Sequence, residues 1–104
     1  MLELRPNCQM CDRDLPPQSA DARICSYECT YCADCVASVL HNVCPTCGGG
    51  FVPRPIRPRQ SWRQGWKTGL DHHPADQRRR YLKFDQADVL AHVARIRHLA
   101  PEER

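Results

Sequence analysis

Apolar positions recur with a helical period only near the end of the chain. Val89, Leu90, Val93, Ile96 and Leu99 form a stripe at three- and four-residue spacing, which predicts one side of a helix. Asp85 suits the N-cap, Asp88 puts negative charge in the first turn, and Pro101 ends the helix. A shorter helix is predicted to begin near Pro74, a residue fitted to a first helical position, and to run through Arg78–Leu82. Trp62, Trp66 and Leu70 sit at i, i+4 and i+8, but Gly65 and Gly69 weaken a helix there. Upstream, Pro53, Pro55 and Pro58 alternate with Arg54, Arg57 and Arg59, which denies helix and predicts an extended path. Phe51 and Val52 are expected in a last strand before those prolines.

The first fifty residues are organised by cysteine. All eight cysteines of this 104-residue chain lie between Cys8 and Cys47. A segment that short buries too little apolar surface to offset ~1–2 kcal/mol of backbone entropy per residue, so a covalent or coordinate link must hold it. The opening MLELRPNCQM lacks the basic-then-apolar pattern of a signal peptide, and no stretch nears the ~20 apolar residues of a membrane span. A cytoplasmic protein without a membrane partner is therefore expected. Disulfides do not persist in a reducing cytosol, which leaves metal as the better reading.

The spacing is Cys8-x2-Cys11-x13-Cys25-x3-Cys29-x2-Cys32-x2-Cys35-x8-Cys44-x2-Cys47. Two cysteines separated by two residues can place both sulfurs on one ion at about 2.3 Å, and a tetrahedral zinc takes two such pairs. Eight sulfurs predict two closed, structural zinc sites with no catalytic residue and no open ligand position. Pairs taken in sequence would join Cys8, Cys11, Cys25 and Cys29, then Cys32, Cys35, Cys44 and Cys47. Interleaving instead gives Cys8, Cys11, Cys32 and Cys35 one ion, and Cys25, Cys29, Cys44 and Cys47 the other. The interleaved scheme is preferred, because Cys29 and Cys32 are too close to end two independent modules. An iron–sulfur cluster is the sharper rival, since Cys29-x2-Cys32-x2-Cys35 begins like a ferredoxin run, but the next cysteine is misplaced. A catalytic thiol has only His41 as a base within the module.

The run Cys29-Thr30-Tyr31-Cys32-Ala33-Asp34-Cys35-Val36, then Leu40, then Cys44-Pro45-Thr46-Cys47, resembles the second half of a RING finger. The resemblance covers residues 8–47. It implies a RING-like cross-brace with a short helix over roughly Asp34–Leu40 and a groove lined by Met10, Val36, Val39 and Pro45. In RING proteins the matching positions dock a ubiquitin-conjugating enzyme. Three features depart from the pattern: Cys29 stands where most RINGs have histidine, Cys25-x3-Cys29 lies at the wide end of the family's spacing, and Gly48 stands where typical ligases carry a basic residue. Residues 1–58 also resemble a family of short bacterial cysteine-rich proteins known as a domain of unknown function, through LELRPNC, DLPP, ARICS, ECTYCADC, CPTCGG and RPIRP. That likeness implies a bacterial zinc protein.

Charge divides unevenly. Residues 1–53 carry three arginines against six acids, and residues 54–104 carry twelve Lys/Arg against six acids. Any anion-binding role therefore belongs to the second half. There, Arg54, Arg57, Arg59, Trp62, Arg63, Trp66 and Lys67 interleave cations with indoles, a combination that neutralises phosphates while stacking bases. The plainer expectation is that both tryptophans pack into the small core. Arg78-Arg79-Arg80 reads as a solvated helix face, and the stripe over residues 86–99 as an inward helix side or a homodimer seam.

Together these readings give a small metal-stabilised α+β protein. A RING-like zinc module spans residues 1–52, a Pro/Arg linker 53–60, and a basic, mostly helical C-terminal region 61–104. Its expected work is protein recognition, in the concrete version as a ligase-like adaptor meeting a ubiquitin-conjugating-type enzyme in a bacterial ubiquitin-like pathway. A zinc-ribbon-like nucleic-acid binder is the alternative.

Overall fold

The computed structural model describes residues 1–104 as a small α+β fold. β1 (Ala22–Ile24) is the centre of an antiparallel sheet, between β2 (Thr30–Cys32) and β3 (Val52–Pro53). Arg23 stands opposite both Tyr31 and Pro53, and Ile24 opposite Thr30 and Val52. The β1–β2 turn is closed by the Cys25 N–H donating to the Cys29 carbonyl at 3.2 Å, with Glu28 in the left-handed region at φ 69°. The turn therefore faces Cys25 and Cys29 toward one another.

β2 passes directly into α1 (Ala33–Cys35), which continues as a π-helical turn over Val36–Leu40. Cys32 is the N-cap, and its sulfur accepts from the Cys35 N–H at 3.4 Å, a role usually filled by a hydroxyl or carboxylate oxygen. The helix ends where His41 and Asn42 both turn left-handed and their N–H groups close on the Val36 carbonyl.

α2 (Gln86–Ile96) follows the sequence pattern closely. Asp85 caps it, accepting from the Asp88 N–H at 2.8 Å. Val89 and Val93 are 2% and 3% exposed and pack into the cysteine-rich core. Leu90 departs from the stripe and faces solvent. The valines at the middle of the expected dimer seam are thus already covered within one chain.

Three other expectations are corrected. No helix forms from Pro74 to Leu82; that stretch runs extended as a strap along the N-terminal residues. The Asp76 N–H donates to the Leu4 carbonyl at 3.1 Å and the Leu82 N–H to the Gln9 carbonyl at 2.8 Å. The Asn7 side chain both donates to the Arg80 carbonyl (2.8 Å) and accepts from its N–H (3.1 Å). Backbone groups taken up by the N-terminal segment are unavailable for a helical ladder. Arg79 and Arg80 are not a solvated run either, since Arg79 pairs with Asp12 and Asp14, and Arg80 with Asp76 and Glu3. The tryptophans are not in the core: Trp62 and Trp66 lie largely exposed. The Pro/Arg stretch starts as the expected extended path, where Pro53 pairs with Arg23 and the Arg54 N–H donates to the Ala22 carbonyl at 3.0 Å.

The core has thirteen buried members, of which six are cysteines. Leu15, Ala22, Tyr31, Leu40, Val43, Val89 and Val93 supply the rest. With nearly half of its buried positions held by potential ligands, this core cannot be judged by apolar burial alone. The radius of gyration, 15.0 Å, exceeds the ~13 Å of a compact domain of this length, in keeping with a small core and long external segments.

Candidate metal centre

Two groups of sulfurs assemble. The Sγ atoms of Cys8, Cys11, Cys32 and Cys35 all lie within 4.8 Å of one another, and those of Cys11 and Cys32 are 3.7 Å apart. A tetrahedron with ~2.3 Å metal–sulfur bonds has an edge of about 3.8 Å. That spacing suits four sulfurs around one ion. Cys25, Cys44 and Cys47 form the second group within the same limit. Cys29 falls outside that mutual limit, although its thiol stands close enough to those of Cys25 and Cys44 to perturb both.

The chain builds both knuckles alike. In Cys8–Asp12 the Asp12 N–H donates back to the Cys8 carbonyl at 2.9 Å, and in Cys44–Gly48 the Gly48 N–H donates to the Cys44 carbonyl at 2.8 Å. Asp12 and Gly48 are both left-handed, at φ 64° and 79°. Amides also aim at sulfur: in the β1–β2 turn the Tyr27 N–H donates to Cys25 Sγ at 3.3 Å, and after the second knuckle the Gly49 N–H donates to Cys47 Sγ at 3.4 Å. Such bonds favour thiolate over thiol.

Ionisation shows what the clusters lack. The neighbouring Cys29 and Cys44 thiols push Cys25 down to about 2, while Cys25 and Cys29, together with burial, push Cys44 upward. In the first group burial raises Cys8 and Cys35. Burial and crowding thus disfavour ionising all the thiols of a group together, and a cation at the centre would favour it. Tyr31 adds a second sign. Its hydroxyl is buried without a hydrogen-bond partner, and burial together with the nearby thiols raises its pKa. An orphaned phenol beside crowded sulfurs fits a donor to metal-bound thiolate. The donor set, all sulfur and mostly buried, fits a closed site for a soft or borderline metal ion.

The ferredoxin-like alternative fails here, because Cys29 sits with Cys25 and Cys44 while Cys32 and Cys35 belong to the other group.

Residues 1–57 match the family described as Protein of unknown function (DUF1272). A relative, "Uncharacterized protein R02474" of Rhizobium meliloti (strain 1021), is 62% identical over 58 residues, covering 56% of this chain and 69% of that protein. The chain belongs to the DUF1272 family. No solved structure matches it. The DUF1272 segment contains every cysteine, all three strands and the π turn, whereas α2 lies outside it.

The remaining predicted site residues divide sharply. Met10 and Val36 pack against the core, Pro45 is buried, and Val39 lines a cleft between the π turn and α2 together with Leu90, Val93 and Ala94. Of the four, Val39 is the one that shares its cleft with α2. Arg54 and Arg57 are corrected as nucleic-acid contacts. Arg54 is 4% exposed and donates to the carbonyls of Arg5 (2.8 Å), Leu15 and Pro16 (both 3.1 Å). Arg57 donates to the carbonyls of His73 (2.8 Å) and Leu2 (2.7 Å). Arg59, Trp62, Arg63, Trp66 and Lys67 stay exposed.

Sequence reasoning missed the brace behind the second group. His92 Nε2 lies 2.9 Å from the Cys44 carbonyl, and Arg104 donates to the carbonyls of Asn42 (2.7 Å) and Gly48 (3.0 Å). A Cβ on Gly48 would stand 3.3 Å from Ile96 Cδ1. The helical position of His92, one residue before Val93, was the only signal for it.

Proposed function

We propose that the chain is a structural zinc protein holding two ions in interleaved all-cysteine sites, and that the module so formed recognises another protein. The observation that carries the reading is the mutual approach of Cys8, Cys11, Cys32 and Cys35 while Cys25, between them in sequence, stands with Cys44 and Cys47. That crossing supports a cross-brace over two beads in a row. With four sulfurs on each ion, Cys29 completing the second set, no position would be left for an activated water, so the metals would stabilise and not catalyse. Zinc in such sites contributes on the order of 10–16 kcal/mol each, ample for a core this small.

Native mass spectrometry of the reduced chain tests the metal reading. Two zinc ions per chain are expected, with Cys8→Ser and Cys44→Ser each abolishing a different one. A chain that folds without zinc, or holds it in only one site, refutes it.

The ligase-like version rests on the RING resemblance of Cys29–Cys47. Two local features argue for recognition without ligase-type activation. Gly48 supplies no cation, and its left-handed turn, with Ile96 Cδ1 3.3 Å from where a Cβ would stand, disfavours any side chain there. A conjugating enzyme would also meet α2 beside Val39. Faster discharge of a charged conjugating enzyme by the full chain would support the ligase version, and absence of both binding and discharge would remove it.

A further inference from the structure

Between Pro58 and Asp71 the chain makes a closed loop. The Leu70 N–H donates to the Pro58 carbonyl at 2.8 Å and the Asp71 N–H to the Arg59 carbonyl at 3.2 Å. Gly69, at φ +88°, lies so close to Gln60 that a Cβ would come within 2.7 Å of the Gln60 carbonyl carbon. Across the loop, the Ser61 hydroxyl donates to the Trp66 carbonyl, and the Trp66 N–H to the Arg63 carbonyl at 3.1 Å. The loop is therefore built by its own bonds. Even so, Trp62 and Trp66 are 79% and 64% exposed. Indoles displayed on an ordered loop mark a contact surface, since burying them would otherwise be favourable.

The charges around them are free. Arg59, Arg63 and Lys67 are exposed, none is engaged in an ion pair, and no acid occurs from Arg59 to Leu70. We propose that this loop docks single-stranded nucleic acid, with bases stacked on Trp62 and Trp66 and phosphates neutralised by Arg59, Arg63 and Lys67. Stacking needs unpaired bases, so a duplex is excluded as the preferred ligand. An anionic bilayer is less well matched. Between Arg59 and Gly69 the two tryptophans are the only large apolar side chains, and Gln60, Ser61, Gln64 and Thr68 fill the rest. A membrane wedge draws on aliphatic neighbours that this loop lacks. The polar residues instead suit base edges and sugars, with no strong sequence preference. The surface lies outside the family-matched residues 1–57 and is independent of the metal sites.

Both tryptophans of the chain are in this loop, so intrinsic emission reports on it directly. The zinc-loaded full chain is titrated with oligothymidylate and with mixed-sequence single-stranded RNA. Saturable quenching is expected, with log affinity falling against log salt at a slope of about −2 for three neutralised phosphates. Trp62→Ala and Trp66→Ala should each weaken binding by about tenfold or more, and the triple Arg59→Ala/Arg63→Ala/Lys67→Ala variant should flatten the salt slope. Unchanged zinc stoichiometry certifies the fold of each variant. The proposal is overturned by an absence of quenching at low salt or by full affinity in the double tryptophan variant read with a labelled strand. It is equally overturned by an equal response to polyglutamate, or by a blue shift on phosphatidylserine vesicles without any response to the oligonucleotides.

Discussion

His92 Nε2 stands 2.9 Å from the carbonyl oxygen of Cys44, joining α2 to the knuckle that begins the second cysteine pair. The contact crosses from outside the family-matched residues into the segment that contains every cysteine. It gives α2 a task beyond covering the core with Val89 and Val93: it fixes the backbone on which Cys44 and Cys47 are carried.

Removing that contact should act on one site. His92→Ala is expected to speed chelator-driven zinc release from the Cys25/Cys29/Cys44/Cys47 group by about tenfold, the scale of lost outer-shell contacts at metal sites, while leaving the Cys8 group unchanged. Two-phase release kinetics in which only the faster phase moves would be the signature. Equal acceleration of both phases would mean that α2 supports the module globally.

Arg54 should prove a structural residue. Its guanidinium is buried and serves three carbonyls, and burial lowers its pKa. Arg54→Met strands those acceptors, and the expected loss is roughly 2–4 kcal/mol in denaturant-induced unfolding. Arg54→Lys should recover little, because an ammonium cannot reproduce the planar fork. Wild-type stability in either variant would contradict the assignment.

Gly69→Ala should damage the loop and spare the metals. The added methyl meets the Gln60 backbone at 2.7 Å in a left-handed conformation that alanine disfavours by about 1 kcal/mol even without a clash. Amide exchange across residues 59–71 should rise, and zinc content should hold at the wild-type value.

Acid should unload the protein. A metal-bound thiolate has a folded pKa far below the ~8.5 of an unfolded cysteine, so its contribution is full above that value and declines as pH falls toward the folded one. Hydrogen bonds from Cys29 and Cys44 already hold Cys25 down before any metal is considered. Thermal midpoints measured from about pH 8 to about pH 5 should therefore fall in step with zinc release. A midpoint that rises on acidification would count against thiolate ligation.

Local signals made parts of this molecule readable from its sequence. The cysteine pairs are legible because two residues between ligands fix a turn, and α2 because its period and its Asp85 cap lie within a few turns of one another. What escaped was long-range. Asn7 and Arg80 exchange two hydrogen bonds across 73 positions, and no local pattern announces that Pro74–Leu82 will be drawn out along the N-terminal segment. Arg54 misleads in the same way, for its acceptors lie up to 49 positions away and its neighbours look like a solvated cationic run. The tryptophans erred in the opposite direction. Aromatic residues usually fill small interiors, but the cysteines had already filled this one.

The crossing of the two sulfur groups has a consequence for the chain's birth. While it emerges from the ribosome, Cys8 and Cys11 wait for Cys32 and Cys35, and by then Cys25 and Cys29 are already enclosed within the same unfinished circuit. The first set of four sulfurs is complete only once Cys35 has emerged and the second only once Cys47 has, so a product stalled before Cys35 would offer no complete seat for an ion and would stay an open target for proteolysis.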